Sequence, residues 1–267
     1  MLIAVENADD TRLEPYRAVR ERDLAGREGR FVAEGEVVLR VLLTRSRFPV
    51  ESVLVSQKRA ETLGDLLARA PPEAPVYVAP HDVMSGIVGF PIHRGLLAIG
   101  RRGPARSAAE LLRGLRPTAT VLGLIGLANH DNVGGIFRNA AAFGVDAVLL
   151  DGTSCDPLYR KAIRVSVGAA LTVPFARGGT AGELLSALAE AEFEAVALSP
   201  AGAEPLSAYQ RAPRIALLLG AEGPGLPPDI LARTRTVRIP MTEGFDSLNV
   251  ATASGIALHH LTHPSSP

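Results

Sequence analysis

Polar side chains that could hold a ligand gather in one turn near the middle of the chain. Asn129, Asp131 and Asn132 exceed what a single helix cap requires, and such side chains can orient a polar ligand by hydrogen bonds. Arg138 follows on the predicted helix, off its apolar face. One surface arginine is usually a solvated charge, but the turn before Arg138 favours a functional role for it.

A glycine-rich turn offers a second kind of contact, through bare backbone. Residues 215–219 are continuously apolar, which is typical of a strand covered on both faces. The turn Gly220-Ala-Glu222-Gly-Pro-Gly225 follows, and its glycines can adopt positive φ or let a ligand lie against the main chain. Glu222 could organise a catalytic site or only stabilise the turn, and the sequence leaves both open.

A third group of polar residues precedes the last predicted helix. After a short strand at residues 237–241, Asp246 or Ser247 is suited to cap a helix over residues 248–260. The small residues of that helix allow close packing against a neighbour. Two strand ends and a helix start converge here, and in an open α/β sheet that is where a small ligand binds.

The elements that would position these groups alternate between strand and helix. This order predicts a mostly parallel sheet with helices on both faces, an α/β fold. We expect a small N-terminal α/β domain at residues 1–100, a linker at 101–117 and the ligand-binding domain at 118–267. Capping boxes predict three helix starts, at Thr11-x-x-Glu14 (a helix toward Asp23), Ser107-x-x-Glu110 and Thr180-x-x-Glu183.

The N-terminal region is rich in arginine. Its predicted elements are strands at 30–33, 50–55, 76–79 and 96–99, with helices at 34–43 and 60–68. Acidic residues are interspersed, so the arginines could form a solvated face or a footprint for an RNA backbone. The sequence leaves these two interpretations open.

Composition limits the function classes. Lys+Arg and Asp+Glu both number 28, so no global basic field indicates a nucleic-acid partner, although a local patch is possible. Cys155 is the only cysteine, which excludes an intrachain disulfide or a thiolate metal cluster. The acidic N-terminus is unlike a signal peptide, and no apolar run approaches the ~18–20 residues of a membrane span. We therefore expect a cytoplasmic protein with no membrane partner.

Two further patterns suggest other chemistries. Gly123-x-x-Gly126 with Asp151 resembles part of a nicotinamide-binding fingerprint, but the G-x-G-x-x-G spacing is absent. His259 and His263 could pair on a metal, although favourable placement of imidazoles at a helix C-terminus explains them as well. We expect no metal.

Three ordered motifs carry a resemblance to a known family. They are Asn132-Val-Gly-Gly-Ile-Phe-Arg138-Asn-Ala, Leu217-Leu-Leu-Gly220-Ala-Glu222-Gly-Pro-Gly225-Leu, and Ile239-Pro-Met241 followed by Ser247-Leu-Asn249-Val-Ala. Together they resemble the motifs of the SpoU/TrmH-type RNA ribose 2′-O-methyltransferases of the SPOUT superfamily. Phe31-Val-Ala-Glu34-Gly35-Glu-x-x-Leu39 is similar to the start of the small RNA-binding domain that many members carry. The loop at 89–94 departs from that pattern and leaves the RNA substrate open.

The resemblance implies a fold, a cofactor and partners. It implies a C-terminal trefoil knot, which strand counting alone would not predict, and a homodimer. It also implies S-adenosyl-L-methionine as methyl donor and RNA as substrate, with ribosomal RNA favoured over transfer RNA. The implied cofactor contacts are Leu219, Gly220, Gly223, Ile239, Met241 and Leu248.

The implied catalytic residues are Arg138, Asn132, Ser247, Asn249 and Glu222. Family proposals give the arginine a role in deprotonation, yet a guanidinium with a pKa above ~12 is a poor base. We favour Arg138 as a phosphate clamp that also stabilises the developing alkoxide. Asn132 and Asn249 would hold the ribose and Arg138 in register, and Ser247 could act through its hydroxyl or only cap the helix.

Two other functions remain as alternatives. One is a non-catalytic RNA-binding or ribosome-assembly factor that retains the fold. The other is a nicotinamide-dependent oxidoreductase.

Overall fold

The structure is a computed structural model that describes residues 2–17, 29–89, 92 and 94–262. Its contacts divide the chain into two compact units. The first comprises Met1–Pro104 and Leu158–Thr172, and the second comprises Ala105–Pro157 and Val173–Pro267. This division differs from the predicted one, which placed all of residues 118–267 in one domain. Segment 158–172 belongs to the first unit because its helix packs against a strand of that unit.

The described elements alternate between strand and helix along most of the chain. The strands are β1 Leu2–Ala4, β2 Arg30–Glu34, β3 Val50–Ser56, β4 Val76–Ala79, β5 Leu96–Arg101, β6 Ala119–Leu124, β7 Ala147–Leu150, β8 Phe175–Arg177, β9 Glu194–Leu198, β10 Glu204–Pro205, β11 Arg214–Leu219 and β12 Arg235–Arg238. The α-helices are α1 Glu36–Thr44, α2 Gln57–Thr62, α3 Gly64–Leu67, α4 His81–Val88, α5 Ala108–Arg113, α6 His130–Ala142, α7 Arg160–Val165, α8 Ala181–Glu190, α9 Pro228–Leu231 and α10 Val250–Thr262. Short 3-10 helices lie at Thr11–Tyr16, Ala169–Leu171 and Leu206–Ala208.

The first unit is built on a mixed sheet with the strand order β1-β4-β3-β5-β2. Strands β1, β4 and β3 are parallel, whereas β5 runs antiparallel to both β3 and β2. A core of fully buried side chains, among them Leu13, Tyr16 and Met84, packs on this sheet. All four predicted strands are present, while β1 and α4 have no counterpart in the prediction.

Two local predictions for this unit are wrong. Asp10, and not Thr11, caps the first helical segment, because its carboxylate accepts a hydrogen bond from the Arg12 backbone N–H at 2.9 Å. The segment is a 3-10 helix, and its predicted continuation toward Asp23 lies outside the described residues. The helix predicted at 60–68 is two short helices, α2 and α3, that meet at Leu63.

The second unit contains a seven-stranded sheet in which every neighbouring pair is parallel. The strand order is β10-β12-β9-β11-β6-β7-β8. Strand β11 lies at the centre, and its residues Ile215 to Leu219 are all buried. This arrangement confirms the predicted parallel sheet and the predicted strand that is covered on both faces.

Helices cover both faces of this sheet. On one face, Leu112 of α5 and Leu188 of α8 join a core with alternate residues of the central strands. On the other face, Phe137 of α6 packs edge to face against Phe175 of β8, with ring centroids 5.7 Å apart. The predicted α/β class is therefore confirmed, whereas the trefoil knot stays a prediction.

Helices α6 and α10 cross at close range. A Cβ atom added to Gly135 would lie 2.8 Å from the Cβ of Ala251. The Asn139 side-chain amide donates to the Ala251 carbonyl at 2.7 Å and to the Ser254 hydroxyl at 2.9 Å. The small residues of α10 therefore serve the close packing that the sequence predicts.

The capping boxes predicted at Ser107 and Thr180 are confirmed, since each hydroxyl accepts a hydrogen bond from the backbone of the glutamate three residues later. Among the described helices, none combines the length and apolar character that a membrane crossing requires. The cytoplasmic location stays a prediction.

Candidate active site

A cavity of about 480 Å³ lies at the carboxyl ends of three neighbouring strands, β9, β11 and β12. Its wall includes the last residues of two of these strands, Leu198 and Leu219, and Ile239 just beyond the third. A cavity of this size is in the range of small-molecule sites, and the carboxyl edge of a parallel sheet is where such sites lie.

Every predicted cofactor contact borders this cavity. Leu219, Gly220, Gly223, Ile239, Met241 and Leu248 all line it. The wall combines apolar side chains with exposed main chain, which suits a ligand that has a flat apolar part and several polar atoms.

The glycines of the turn after β11 have two different roles. Gly223 and Gly225 adopt positive φ, at 84° and 72°, which favours glycine. A Cβ on Gly220 would lie 2.3 Å from main-chain atoms of Gly225 and Leu226. Gly220 therefore lets the turn close on itself, and any larger residue there would open it.

Asn249 makes two sets of hydrogen bonds at the mouth of the cavity. Its Oδ1 accepts from the backbone N–H groups of Ala251 at 3.0 Å and Thr252 at 3.2 Å, which caps α10. Its Nδ2 donates to Oδ1 of Asn132, a buried residue of α6, at 2.9 Å. Because the capping bonds require the oxygen, the amide orientation of Asn249 is fixed by the network.

The helix cap predicted at Asp246 or Ser247 is wrong. Both residues lie before the helix in an exposed loop, where the Ser247 hydroxyl donates to the Asp246 carboxylate at 3.1 Å. Ser247 nevertheless lines the cavity, as does Glu222, which is exposed and has no hydrogen-bond or ion-pair partner among the described residues. Of the five predicted catalytic residues, three thus border the cavity and Asn132 contacts one of them.

Arg138 is the exception. It lies on α6 but does not line the cavity, and its exposed side chain has no hydrogen-bond or ion-pair partner in the described part of the chain. Asn132 and Asn139 are seven residues apart and so share a helix face toward α10, whereas Arg138 is turned away by 100°. One chain alone does not bring Arg138 to the cavity.

Sequence reasoning missed part of the cavity wall. The segment Leu198-Ser199-Pro200 after β9 and the residues Leu231, Val250 and Ala253 line it without having been predicted. A strand end followed by serine and proline is a weak signal, and it gains meaning only once β9 is known to lie beside β11. Asn139, which joins α6 to α10, was adjacent to Arg138 in the first motif.

The features that suggested other chemistries have structural roles. The Asp151 carboxylate accepts hydrogen bonds from the Gly126 N–H and from the backbone and hydroxyl of Ser154, so it is held in its own turn. Burial raises the pKa of Cys155 to about 11, which keeps this thiol protonated at neutral pH. His259 packs edge to face on Phe143, and His263 lies outside the described residues.

Comparisons with known proteins agree with this geometry. The profile of the SpoU rRNA Methylase family matches residues 119–259. The chain is 43% identical over 265 residues to an uncharacterized tRNA/rRNA methyltransferase of Mycobacterium bovis, covering 95% of this chain and 89% of that protein. It is 30% identical over 189 residues to the 23S rRNA (guanosine-2′-O-)-methyltransferase RlmB of Acinetobacter baylyi, covering 69% and 76% of the two chains.

A solved structure shares the fold along nearly the whole chain. The AdoMet-bound rRNA methyltransferase from Sinorhizobium meliloti superimposes with a TM-score of 0.80 at 23% identity, covering 99% of each chain. A parallel α/β sheet with a cavity at its carboxyl edge, matched by a methylase profile, defines the protein as an α/β methyltransferase. The chain belongs to the SpoU rRNA methylase family.

This membership confirms the enzyme class that the three motifs implied, an RNA methyltransferase. The nicotinamide-dependent alternative finds no support in either the turn at Asp151 or the family.

Proposed function

We propose that this enzyme methylates the 2′-hydroxyl of a ribose in RNA, with ribosomal RNA preferred over transfer RNA. The observation that carries the proposal is the hydrogen bond between Asn132 and Asn249, at 2.9 Å. This bond ties the first motif to the third at the rim of the cavity that the second and third motifs line. A relative named as a guanosine-2′-O-methyltransferase of 23S rRNA supports both the position and the substrate.

The cavity wall fits the methyl donor. Leu219, Ile239 and Leu248 offer an apolar surface, and the exposed main chain at Gly223 offers donors and acceptors without side-chain obstruction. When bound, S-adenosyl-L-methionine would supply the methyl group of its sulfonium for in-line transfer to the ribose oxygen, with S-adenosyl-L-homocysteine as the leaving group and the hydroxyl proton passing to solvent or to an RNA phosphate. The apolar wall would keep water from competing with the ribose hydroxyl.

The asparagine pair leaves one amide free to orient the ribose. The Oδ1 of Asn132 accepts from Asn249, so its Nδ2 is the remaining donor, and that donor has no partner among the described residues. An amide N–H is a suitable hydrogen-bond donor to a sugar oxygen. We assign Asn132 the role of orienting the ribose and Asn249 the role of holding Asn132 in place. Ser247 and Glu222, at the same rim, are proposed to complete the sugar site.

Arg138 is proposed to clamp an RNA phosphate and to stabilise the negative charge that develops on the ribose oxygen. Because Arg138 lies outside the cavity of its own chain, this role requires a second copy, and the homodimer is part of the proposal. Ile256 of α10 is 43% exposed and Leu248 is 41% exposed, so apolar surface is available next to the site.

The proposal is tested by following labelled methyl groups into RNA. The protein is incubated with methyl-labelled S-adenosyl-L-methionine and, separately, ribosomal and transfer RNA that lack the modification. We expect label in ribosomal RNA, recovered after digestion as a 2′-O-methylnucleoside that resists alkaline cleavage. Label on a base would overturn the proposed position. Binding of RNA without any transfer would instead favour a non-catalytic RNA-binding factor.

A further inference from the structure

The first unit has a cavity of its own, of about 570 Å³. Its wall comes from three places: the junction of β2 and α1, the side chains of Arg59 and Arg94, and the segment that contains Arg164 and Val167. The last of these belongs to the stretch between β7 and β8 that joins the first unit. No predicted cofactor or catalytic residue borders this cavity.

Positively charged side chains outnumber negatively charged ones in the wall of this cavity. The Glu34 carboxylate accepts hydrogen bonds from Arg160 at 2.8 Å and Arg164 at 3.4 Å. The Glu36 carboxylate is bound in the same way by Arg59 at 2.8 Å and Arg40 at 3.2 Å. Each carboxylate is therefore shared by two guanidinium groups, and the cavity wall itself holds three arginines against two glutamates.

Arg94 adds a guanidinium that no carboxylate of the described residues neutralises. It is exposed, lines the cavity and has no hydrogen-bond or ion-pair partner among the described residues. Gly35 adopts a φ of 92°, and a Cβ there would lie 3.0 Å from Nη1 of Arg94. Glycine at position 35 thus lets the guanidinium lie directly over the main chain at the start of α1.

Unpaired backbone donors face the same region. Gly35 caps α1 without a side-chain hydrogen bond, and the N–H groups of Glu36, Val37 and Val38 have no partner in the described structure. Such donors at a helix start favour an anion, and here they accompany the excess of arginine. Val37, which lines the cavity, is 56% exposed, so the cavity opens to solvent.

We propose that this cavity binds a phosphodiester group of the RNA substrate, with Arg94 as the main contact and Arg164 as the second. A guanidinium presents paired N–H donors that match two phosphate oxygens. The inference rests on the proposed function, which supplies the RNA, and it gives segment 158–172 a part in substrate binding. It also gives a role to Arg94, which stands in the loop that departs from the family pattern.

The test compares Arg94→Ala with Arg69→Ala, another exposed arginine of the first unit that does not line the cavity. Methyl transfer is measured against RNA concentration, together with binding of the same unmodified ribosomal RNA at several salt concentrations. For Arg94→Ala we expect KM for RNA to rise about tenfold, with kcat unchanged and the salt slope reduced by roughly 0.7–0.9. Arg69→Ala should match the wild type. Calorimetry should give both variants the wild-type affinity for S-adenosyl-L-methionine.

Failure of this inference is distinct from failure of the proposed function. A wild-type protein that transfers no methyl group would reject the function, while RNA binding by the two variants would still test the cavity. Equal RNA affinity and equal salt slope for wild type, Arg94→Ala and Arg69→Ala would overturn the inference. Titration with inorganic phosphate provides the second arm: phosphate binding that Arg94→Ala abolishes, without any change in RNA affinity, would assign the cavity to a free anion and reject the RNA contact.

Discussion

At the scale of single residues, Asn249 joins two tasks that the sequence assigned to different side chains. Its oxygen caps α10 and its nitrogen holds Asn132. The motif alone predicted Asn249 as a site residue, but the cap was expected at Asp246 or Ser247. Capping preferences are similar for serine, aspartate and asparagine, so composition cannot decide among neighbouring candidates. The deciding factor is the bond to Asn132, which places Asn249 at the helix start.

Two substitutions separate the tasks of Asn249. Asn249→Asp keeps an oxygen for the cap but has no amide donor, so Asn132 must turn its own Nδ2 inward. We expect methyl transfer to fall at least about a hundredfold, while urea unfolding shows a stability close to that of the wild type. Asn249→Ala should lose the activity and also about 1 kcal/mol of stability. An Asn249→Asp enzyme with the wild-type kcat would show that the Asn132 amide has no part in the reaction.

At the scale of elements, the packing of α6 against α10 determines where the asparagines of the site lie. The sequence of α10 predicted that its small residues pack closely against a neighbour. It could not predict which residues of α6 they contact, because contact between distant segments leaves no local pattern. Gly135 and Asn139 are those residues. The same crossing sets the distance between Asn132 and Asn249.

Widening this crossing should disturb both stability and activity. In Gly135→Val, the new side chain would meet Ala251 at less than ordinary contact distance, so α10 must shift. We expect a loss of about 1–3 kcal/mol in unfolding free energy and a lower kcat. Gly114→Ala is the control, since its Cβ would lie 3.9 Å from the nearest atom, the Leu111 carbonyl oxygen. If the Gly135→Val enzyme were clearly destabilised but kept wild-type activity, the distance between α6 and α10 would not affect catalysis.

A charged bridge ties three strands of the first unit and gives a prediction on pH. Burial opposes ionisation of Glu51 on β3, but hydrogen bonds from Arg30 on β2 and Arg101 on β5 outweigh it and lower the pKa of Glu51. A lowered folded-state pKa means that the bridge stabilises the fold above the unfolded-state pKa of about 4.3, and that this contribution is lost as pH falls through the folded-state value.

Glu51→Gln should therefore be less stable than the wild type by about 1 kcal/mol at pH 7, and by a smaller amount at pH 3.5. Urea unfolding at the two pH values measures the difference. Glu61→Gln, an exposed glutamate of the same unit, serves as the control. A stability difference that does not change with pH would mean that the charge of Glu51 is not what stabilises the strands.

At the scale of the whole molecule, the sequence predicted most of the strands but not their order. The parallel α/β class followed from alternation, and the six residues that the three motifs predict as cofactor contacts line one cavity. The cavity wall includes Leu198-Ser199-Pro200 because β9 lies between β12 and β11. The sequence alone does not give this strand order. Segment 158–172 groups by its contacts with the first unit and not with the domain predicted for it. The reason is related: an apolar helix face indicates burial without naming the core that buries it.

The proposed homodimer can be tested by mixing two inactive variants, because Arg138 of one copy would complete the site of the other. Co-expression of Arg138→Ala with Asn249→Asp in equal amounts gives mixed dimers as half of the population. If Arg138 acts at the cavity of the second copy, each mixed dimer has one intact site, and activity should return to about one quarter of the wild type. Each variant alone should be inactive. A mixture as inactive as its parents would place Arg138 in the site of its own chain.

The central claim is that the cavity at the ends of β9, β11 and β12 holds the methyl donor, and calorimetric titration with S-adenosyl-L-methionine tests it most directly. Ala253 lines that cavity from α10, whereas Thr252 beside it is exposed and does not. We predict that Ala253→Leu binds the donor at least about tenfold more weakly, a loss of roughly 1.4 kcal/mol, while Thr252→Leu retains the wild-type affinity. Wild-type affinity in a folded Ala253→Leu protein would contradict the account.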